Sequence, residues 1–218
     1  MNEKFTCFLF DLDGTLLDTL DDLHSAVNYA LGVCEMPLRT REEVRRFIGD
    51  GVAKLMERAL GEGVDAALHA KALALFKEYY AAHCKEQTAP YPGVMDVLAA
   101  IKAAGKQAGI VSNKAAFATT MLSQEYFGDL VGVAIGENEA AGIAKKPAPD
   151  TVFAAIKALG ADATSTVYIG DSEVDIQTAN NAGIPCISVA WGMKDEDFLW
   201  QSGASVLLHD AKELLKFL

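Results

Sequence analysis

The sequence predicts an α/β protein: a doubly wound parallel sheet of Rossmann-like type, with an α-helical cap domain inserted near its start. Three observations carry this. Short apolar runs recur along the chain, helical periodicity separates them, and residues 16–89 hold helical periodicity throughout with no convincing strand. The runs at 5–10, 107–111, 131–135, 166–169, 186–189 and 205–208 read as strands, and their near-continuous apolar character suits a parallel sheet covered by helices on both faces. Segments 94–104, 114–124, 150–159, 175–182 and 211–217 read as the crossover helices, with Gly105 and Gly160 as C-terminal stops. Strand, helix, strand is therefore the repeating unit.

Inside the insert, Thr40-Arg-Glu-Glu43 is a capping box that opens a helix, Gly49-Asp50-Gly51 is a turn before a helix at 52–60, and a longer helix is expected from about 65 to 83. Pro90-Tyr-Pro-Gly93 ends the insert, because two prolines so close cannot continue a helix. The expected division is a core of 1–15 with 90–218 and a helical cap of 16–89.

Composition narrows the function. With 218 residues, 51% of them hydrophobic, the chain can bury one good core and carry a smaller inserted domain. A formal net charge of −11 argues against nucleic acid or an anionic membrane surface as partner. An anionic substrate would need local cations, which directs attention to a bound metal and a few placed lysines. Cys7, Cys34, Cys84 and Cys186 lie far apart with no Cys-x-x-Cys pair and read as reduced structural thiols. The N-terminus lacks a secretory apolar region and no run approaches membrane-spanning length, so a cytoplasmic protein is expected; the sequence leaves open whether it is a monomer or a dimer.

Asp11-Leu-Asp-Gly-Thr15 directly follows the first apolar run, at the carboxyl end of a predicted strand, where open α/β sheets place their ligand sites. Residues two apart on an extended segment point the same way, so Asp11 and Asp13 are expected to face one crevice, while Gly14 lets the chain turn away. Taken alone, such a turn also suits two acids capping a helix. Here the sequence resembles the haloacid dehalogenase-like superfamily, whose first motif, Asp-x-Asp-x-Thr after a hydrophobic strand, matches Asp11, Asp13 and Thr15. The other family motifs follow in order. Ile110-Val-Ser-Asn113 ends a strand with a hydroxyl, which implies Ser112 and Asn113 as substrate contacts beside Thr15, although either residue also suits a helix N-cap. Lys146-Pro-Ala-Pro149 is similar to the third motif; the family's lysine immediately precedes Pro-x-Pro, which selects Lys146 over Lys145. Val167-Tyr-Ile-Gly-Asp-Ser-Glu-Val-Asp175 is similar to the fourth, a strand ending in Gly-Asp with a further acid four residues on.

The resemblance implies a phosphatase acting on a small phosphorylated metabolite. A phosphate monoester dianion repels an anionic nucleophile, so charge must be cancelled before Asp11 approaches in line. Magnesium, a hard cation that takes few carboxylates, is the implied metal, with Asp11, Asp171 and the backbone carbonyl of Asp13 as ligands and Asp175 fixing the metal's water shell or the lysine. Lys146 supplies the second cation. Asp11 is the implied nucleophile, forming an aspartyl phosphate, and Asp13 the acid that protonates the leaving group and then activates water. Substrate choice is expected in the insert. Asp11-Leu-Asp-Gly-Thr-Leu-Leu-Asp-Thr19 and Phe47-Ile-Gly-Asp-Gly-Val-Ala-Lys-Leu-Met-Glu-Arg-Ala-Leu60 look like the corresponding stretches of phosphoglycolate phosphatases. That nominates phosphoglycolate as substrate and Gly49, Asp50, Gly51 and Lys54 as contacts. A pyrophosphatase, a sugar-phosphate or nucleotide phosphatase, or a phosphomutase is the alternative, and a phospho-accepting signalling module is a further one, which lacks both the insert and a second acid placed like Asp13.

Overall fold

The computed structural model describes residues 5–138 and 142–218. The first four residues of the expected core segment, and of the N-terminal stretch read above, lie outside them. The chain divides into two units: one runs as far as Leu17 and resumes over Pro90–Leu218, and the other is Asp18–Ala89. In chain order the elements are β1 (Cys7–Phe10), β2 (Leu17–Asp18), α1 (Leu20–Val33), α2 (Arg41–Phe47), α3 (Val52–Leu60), α4 (Ala66–His83), β3 (Ala89–Pro90), α5 (Val94–Ala103), β4 (Gln107–Ala115), α6 (Ala116–Tyr126), β5 (Val133–Glu137), α7 (Asp150–Leu159), β6 (Thr166–Gly170), α8 (Glu173–Ala182), β7 (Cys186–Val189), α9 (Glu196–Gln201) and β8 (Leu207–Leu208). A 3-10 helix, Ala211–Phe217, follows where an α-helix is expected.

Six strands form one parallel sheet in the order β5-β4-β1-β6-β7-β8. From β1 the chain moves outward through β4 to β5, then returns to the other side of β1 with β6. The order thus reverses at β1, and the carboxyl ends of β1, β4 and β6 meet at the switch point where such sheets hold ligands. All four residues of β1 and all five of β6 are buried, as strands covered on both faces must be. One face packs Cys7, Leu9, Val111 and Tyr168 against Val152, Ala155 and Ile156 of α7 and Ala179 of α8.

The helical unit is fastened to itself by a buried acid. Asp22 on α1 accepts hydrogen bonds from Gln87 N (3.0 Å), Thr88 N (2.9 Å) and Thr88 Oγ1 (2.7 Å), tying the unit's last residues to its first helix. Thr40 and Glu43 form the expected capping box of α2, and Asp65 caps α4. Two expectations need correction. Residues 16–89 are not free of strand, since β2 and β3 pair as a two-stranded sheet through which the chain leaves and re-enters the larger unit; two residues apiece give no alternation to read. Lys114 does not open a helix, because β4 runs on to Ala115 and α6 begins at Ala116.

Candidate active site

The site is built on three strand ends. Asp11 is the first residue beyond β1, where its backbone N donates to Ile169 O of β6 (2.9 Å). The chain then turns sharply: Gly14 takes φ +85, its N donates to Leu17 O (2.9 Å), and a Cβ there would fall 2.3 Å from Asp171 Oδ2. Only glycine lets this loop lie against that carboxylate. Gly170 serves Asp175 in the same way, for a Cβ on it would come within 2.3 Å of Asp175 Cγ.

Lys146 lies at the centre, 2% exposed, with Nζ 3.0 Å from Asp11 Oδ1, 2.7 Å from Asp175 Oδ1 and 3.0 Å from Tyr168 OH. Burial disfavours its charge, but the two carboxylates outweigh that and hold its pKa above the ordinary lysine value. Asp175 is committed to positioning: Oδ1 also receives Tyr168 OH (3.1 Å), and Oδ2 receives Ser172 N (3.1 Å) and Ser172 Oγ (2.6 Å) in the capping box of α8. Asn113 pins the lysine's backbone, accepting from Lys146 N (2.8 Å) and donating to Lys146 O (3.0 Å). The peptide bond from Lys146 to Pro147 is cis.

Asp11 Oδ1 also receives Leu12 N (2.7 Å), whereas Oδ2 has no hydrogen-bond donor among the described residues. Burial pushes the Asp11 carboxyl up to about 7, opposed by Lys146 and reinforced by the charges of Asp175 and Asp13. Asp171 is less compensated still. It accepts from Thr15 Oγ1 (3.1 Å) and Met193 N (2.6 Å) and pairs with no lysine or arginine among the described residues; burial, with the charges of Asp175 and Asp11, holds its pKa well above the usual carboxylate range. Oxygen atoms of Asp11, Asp171 and Asp175 lie within 4.8 Å of one another. A buried pair of hard oxygen donors, one of them lacking a cation, fits a magnesium ion; Asp175 spends its oxygens on four donors, the Lys146 ammonium among them, whereas Asp171 has one neutral donor on each oxygen, so Asp11 and Asp171 are the side chains that would hold it.

The structure therefore brings together Asp11, Thr15, Asn113, Lys146, Asp171 and Asp175. Ser112 stands two residues beyond Ile110, which pairs with Phe10, so it lies level with the start of the Asp11 loop. The carboxylate of Asp13 does not join the Asp11–Asp171 group; it turns instead onto Lys114 Nζ, at 2.9 Å from each oxygen. Thr15 and Asn113, read as substrate contacts, are engaged by Asp171 and by the Lys146 backbone. Gly49, Asp50, Gly51 and Lys54 lie in the helical unit around the start of α3, where Asp50 pairs with Arg58 (2.5 Å) and Lys54 with Glu57 (2.7 Å).

Sequence reasoning missed several contributors. Tyr168 places a phenol hydroxyl in the middle of a buried strand, and Ser172 begins a Ser-x-x-Asp capping box; both signals were available. The loop after β7 was missed too: Trp191 Nε1 donates to Thr15 O (3.1 Å), Met193 N to Asp171, and a Cβ on Gly192 would fall 2.3 Å from Gly14 O. Its signal was position alone, as another strand end on the same edge of the sheet.

Comparison with known proteins agrees with this geometry. The family model for haloacid dehalogenase-like hydrolases matches residues 8–189. The chain is 32% identical over 213 residues to the phosphoglycolate phosphatase of Pseudomonas syringae pv. syringae, covering 95% of this chain and 77% of that one. It is 35% identical over 211 residues to that of Caulobacter vibrioides, covering 95% and 88%. Among solved structures, a candidate phosphoglycolate phosphatase from Lactobacillus delbrueckii subsp. bulgaricus is similar with a TM-score of 0.91 and 36% identity over 97% of each chain.

Proposed function

The chain belongs to the haloacid dehalogenase-like hydrolases and is a phosphatase, and from that premise we propose that it hydrolyses phosphoglycolate by passing the phosphoryl group through Asp11. The observation that carries the proposal is the state of Asp11: one oxygen is fixed by Lys146 and Leu12 N, and the other is left without a donor. A carboxylate so held presents a single lone-pair face to phosphorus, and Lys146 beside it lowers the repulsion between two anions. A magnesium ion held by Asp11 and Asp171, with the Asp13 carbonyl, would supply further positive charge to the phosphoryl oxygens.

In the first half-reaction an Asp11 oxygen bonds to phosphorus while the ester bond breaks, and Asp13 gives its proton to the departing oxygen. In the second, water attacks the aspartyl phosphate, its proton goes to Asp13, and Asp11 is released as carboxylate. Ser112, with its hydroxyl hydrogen free of any described acceptor, is the proposed donor to a phosphoryl oxygen.

Phosphoglycolate is favoured because the relatives carrying that name match across nearly the whole chain. Gly49, Asp50, Gly51 and Lys54 are the proposed substrate contacts from the helical insert. The test is a panel of phosphate monoesters and pyrophosphate assayed with magnesium, ranked by kcat/KM. Phosphoglycolate should rank first, and a low rank would remove it as the substrate while leaving the phosphatase intact.

A further inference from the structure

Each acid of the Asp11–Asp13 pair has its own buried lysine. Lys146 serves Asp11; Lys114, its side chain 3% exposed, meets both oxygens of Asp13 at 2.9 Å. A buried ammonium group needs a partner to offset its lost hydration, and the Asp13 carboxylate supplies one. Its placement is built into the strand. Between Val111 and Ala115 the pairing advances four residues along β4 but only two along β5, from Ile135 to Glu137. Such a bulge re-aims side chains at the end of a strand, and here it spans Ser112, Asn113 and Lys114. The Lys114 backbone is then clamped: its N donates to Ser112 Oγ (3.3 Å), its carbonyl receives Thr119 Oγ1 (3.2 Å), and a Cβ on Gly136 of β5 would fall 2.7 Å from that carbonyl.

We infer that Lys114 is the positioning residue of the proton-transfer step, aiming the Asp13 carboxyl at the leaving-group oxygen and holding it there between the two half-reactions. The inference rests on the phosphatase mechanism proposed above. One ammonium group donating to both oxygens of a carboxylate fixes its direction as well as its place, and proton transfer depends on both. Asp13 gives its proton as the ester P–O bond breaks and is left as the carboxylate that Lys114 grips; the attacking water later restores the proton.

Leaving-group dependence separates this role from others. An alkoxide needs a proton as it departs, whereas p-nitrophenolate leaves as a stable anion, and kcat/KM reports only the steps through alcohol release. In K114M, kcat/KM for phosphoglycolate and for propyl phosphate should each fall roughly 10²-fold, with p-nitrophenyl phosphate changed less than about 3-fold. K114R, which keeps a charged fork on Asp13, should recover most of the alkyl activity. Equal losses on all three substrates would mean that Lys114 binds the phosphoryl group, and a loss confined to phosphoglycolate would mean that it reads the substrate carboxylate; either overturns the inference. Should K114M fail to fold, K114Q carries the same comparison. Asp11→Asn is the control for the mechanism beneath: turnover retained there sinks the phosphatase proposal itself, whatever Lys114 does.

Discussion

Asp171 shows how much of this site is decided by residues without side chains. Its carboxylate is wedged between Gly14 and Gly192, and a Cβ on either would overlap it, at 2.3 Å and 2.4 Å from Oδ2 respectively. Gly192 is the more informative to change, because its Cβ would also meet the Gly14 carbonyl, a backbone atom that cannot rotate away. Overpacking of this kind costs roughly 1–3 kcal/mol. Gly192→Ala should therefore lower stability by that amount in urea titration and, by displacing Met193 N from Asp171, weaken magnesium binding measured by calorimetry. Unchanged magnesium affinity in a folded variant would show that the loop after β7 does not hold Asp171. Glycine spacing along the chain carries no hint of this packing, since Gly14 and Gly192 meet only in three dimensions.

The elements divide by how their signals arise. Strands buried on both faces and helices with caps were legible, because apolar runs and capping chemistry are local: α3 and α7 run over the expected residues, and the capping box of α2 is present with Glu43 N donating to Thr40 Oγ1 (3.2 Å) and Thr40 N to Glu43 Oε2 (2.8 Å). Thr40→Ala should cost about 1 kcal/mol of stability, read as a lower denaturation midpoint with turnover of an aryl phosphate unchanged; no shift would mean that the cap contributes nothing beyond exposed contacts. The end of β4 was not legible. Ser112-Asn-Lys114 is polar, so the apolar pattern stops at Val111, while the strand continues because Gly136 lets the β5 backbone come close to the Lys114 carbonyl. For the same reason the four strand-end motifs could be located in the sequence, but the pairing of Asp13 with Lys114 could not, since a bulge re-aims side chains without a composition of its own.

Across the whole molecule, two groups of carboxyls respond to pH in opposite directions and in separate windows. Exposed acids in ion pairs, such as Glu42 beside Arg45 and Arg46 and Glu213 beside Lys216, are pulled down to about 2 from 4.5, so they favour the folded state as pH rises, but only below that ordinary value. Asp11, pushed up to about 7 from 3.8 by burial, and Asp171, raised for the same reason, keep protons in the folded chain that the unfolded chain has released. Between about pH 4 and 7 the metal-free protein should therefore lose stability as pH rises. Magnesium, which binds the ionised acids and displaces their protons, should raise Tm more at about pH 7.5 than at about pH 5. Thermal melts with chelator and with magnesium check both statements, and a magnesium effect equal at the two pH values would contradict the assignment of Asp11 and Asp171 as the metal-holding pair.

At this scale the proposed function rests on one event, transfer of a phosphoryl group to Asp11. That event is open to direct observation in Asp13→Asn, where an aryl phosphate still donates its phosphoryl group but the water that releases it lacks a base. Rapid acid quench followed by peptide mass spectrometry should find the phosphoryl group on the peptide containing Asp11, at close to one per chain, after a burst of nitrophenol. A burst with the phosphoryl group on any other residue, or sustained turnover with none attached to the chain, would contradict the account.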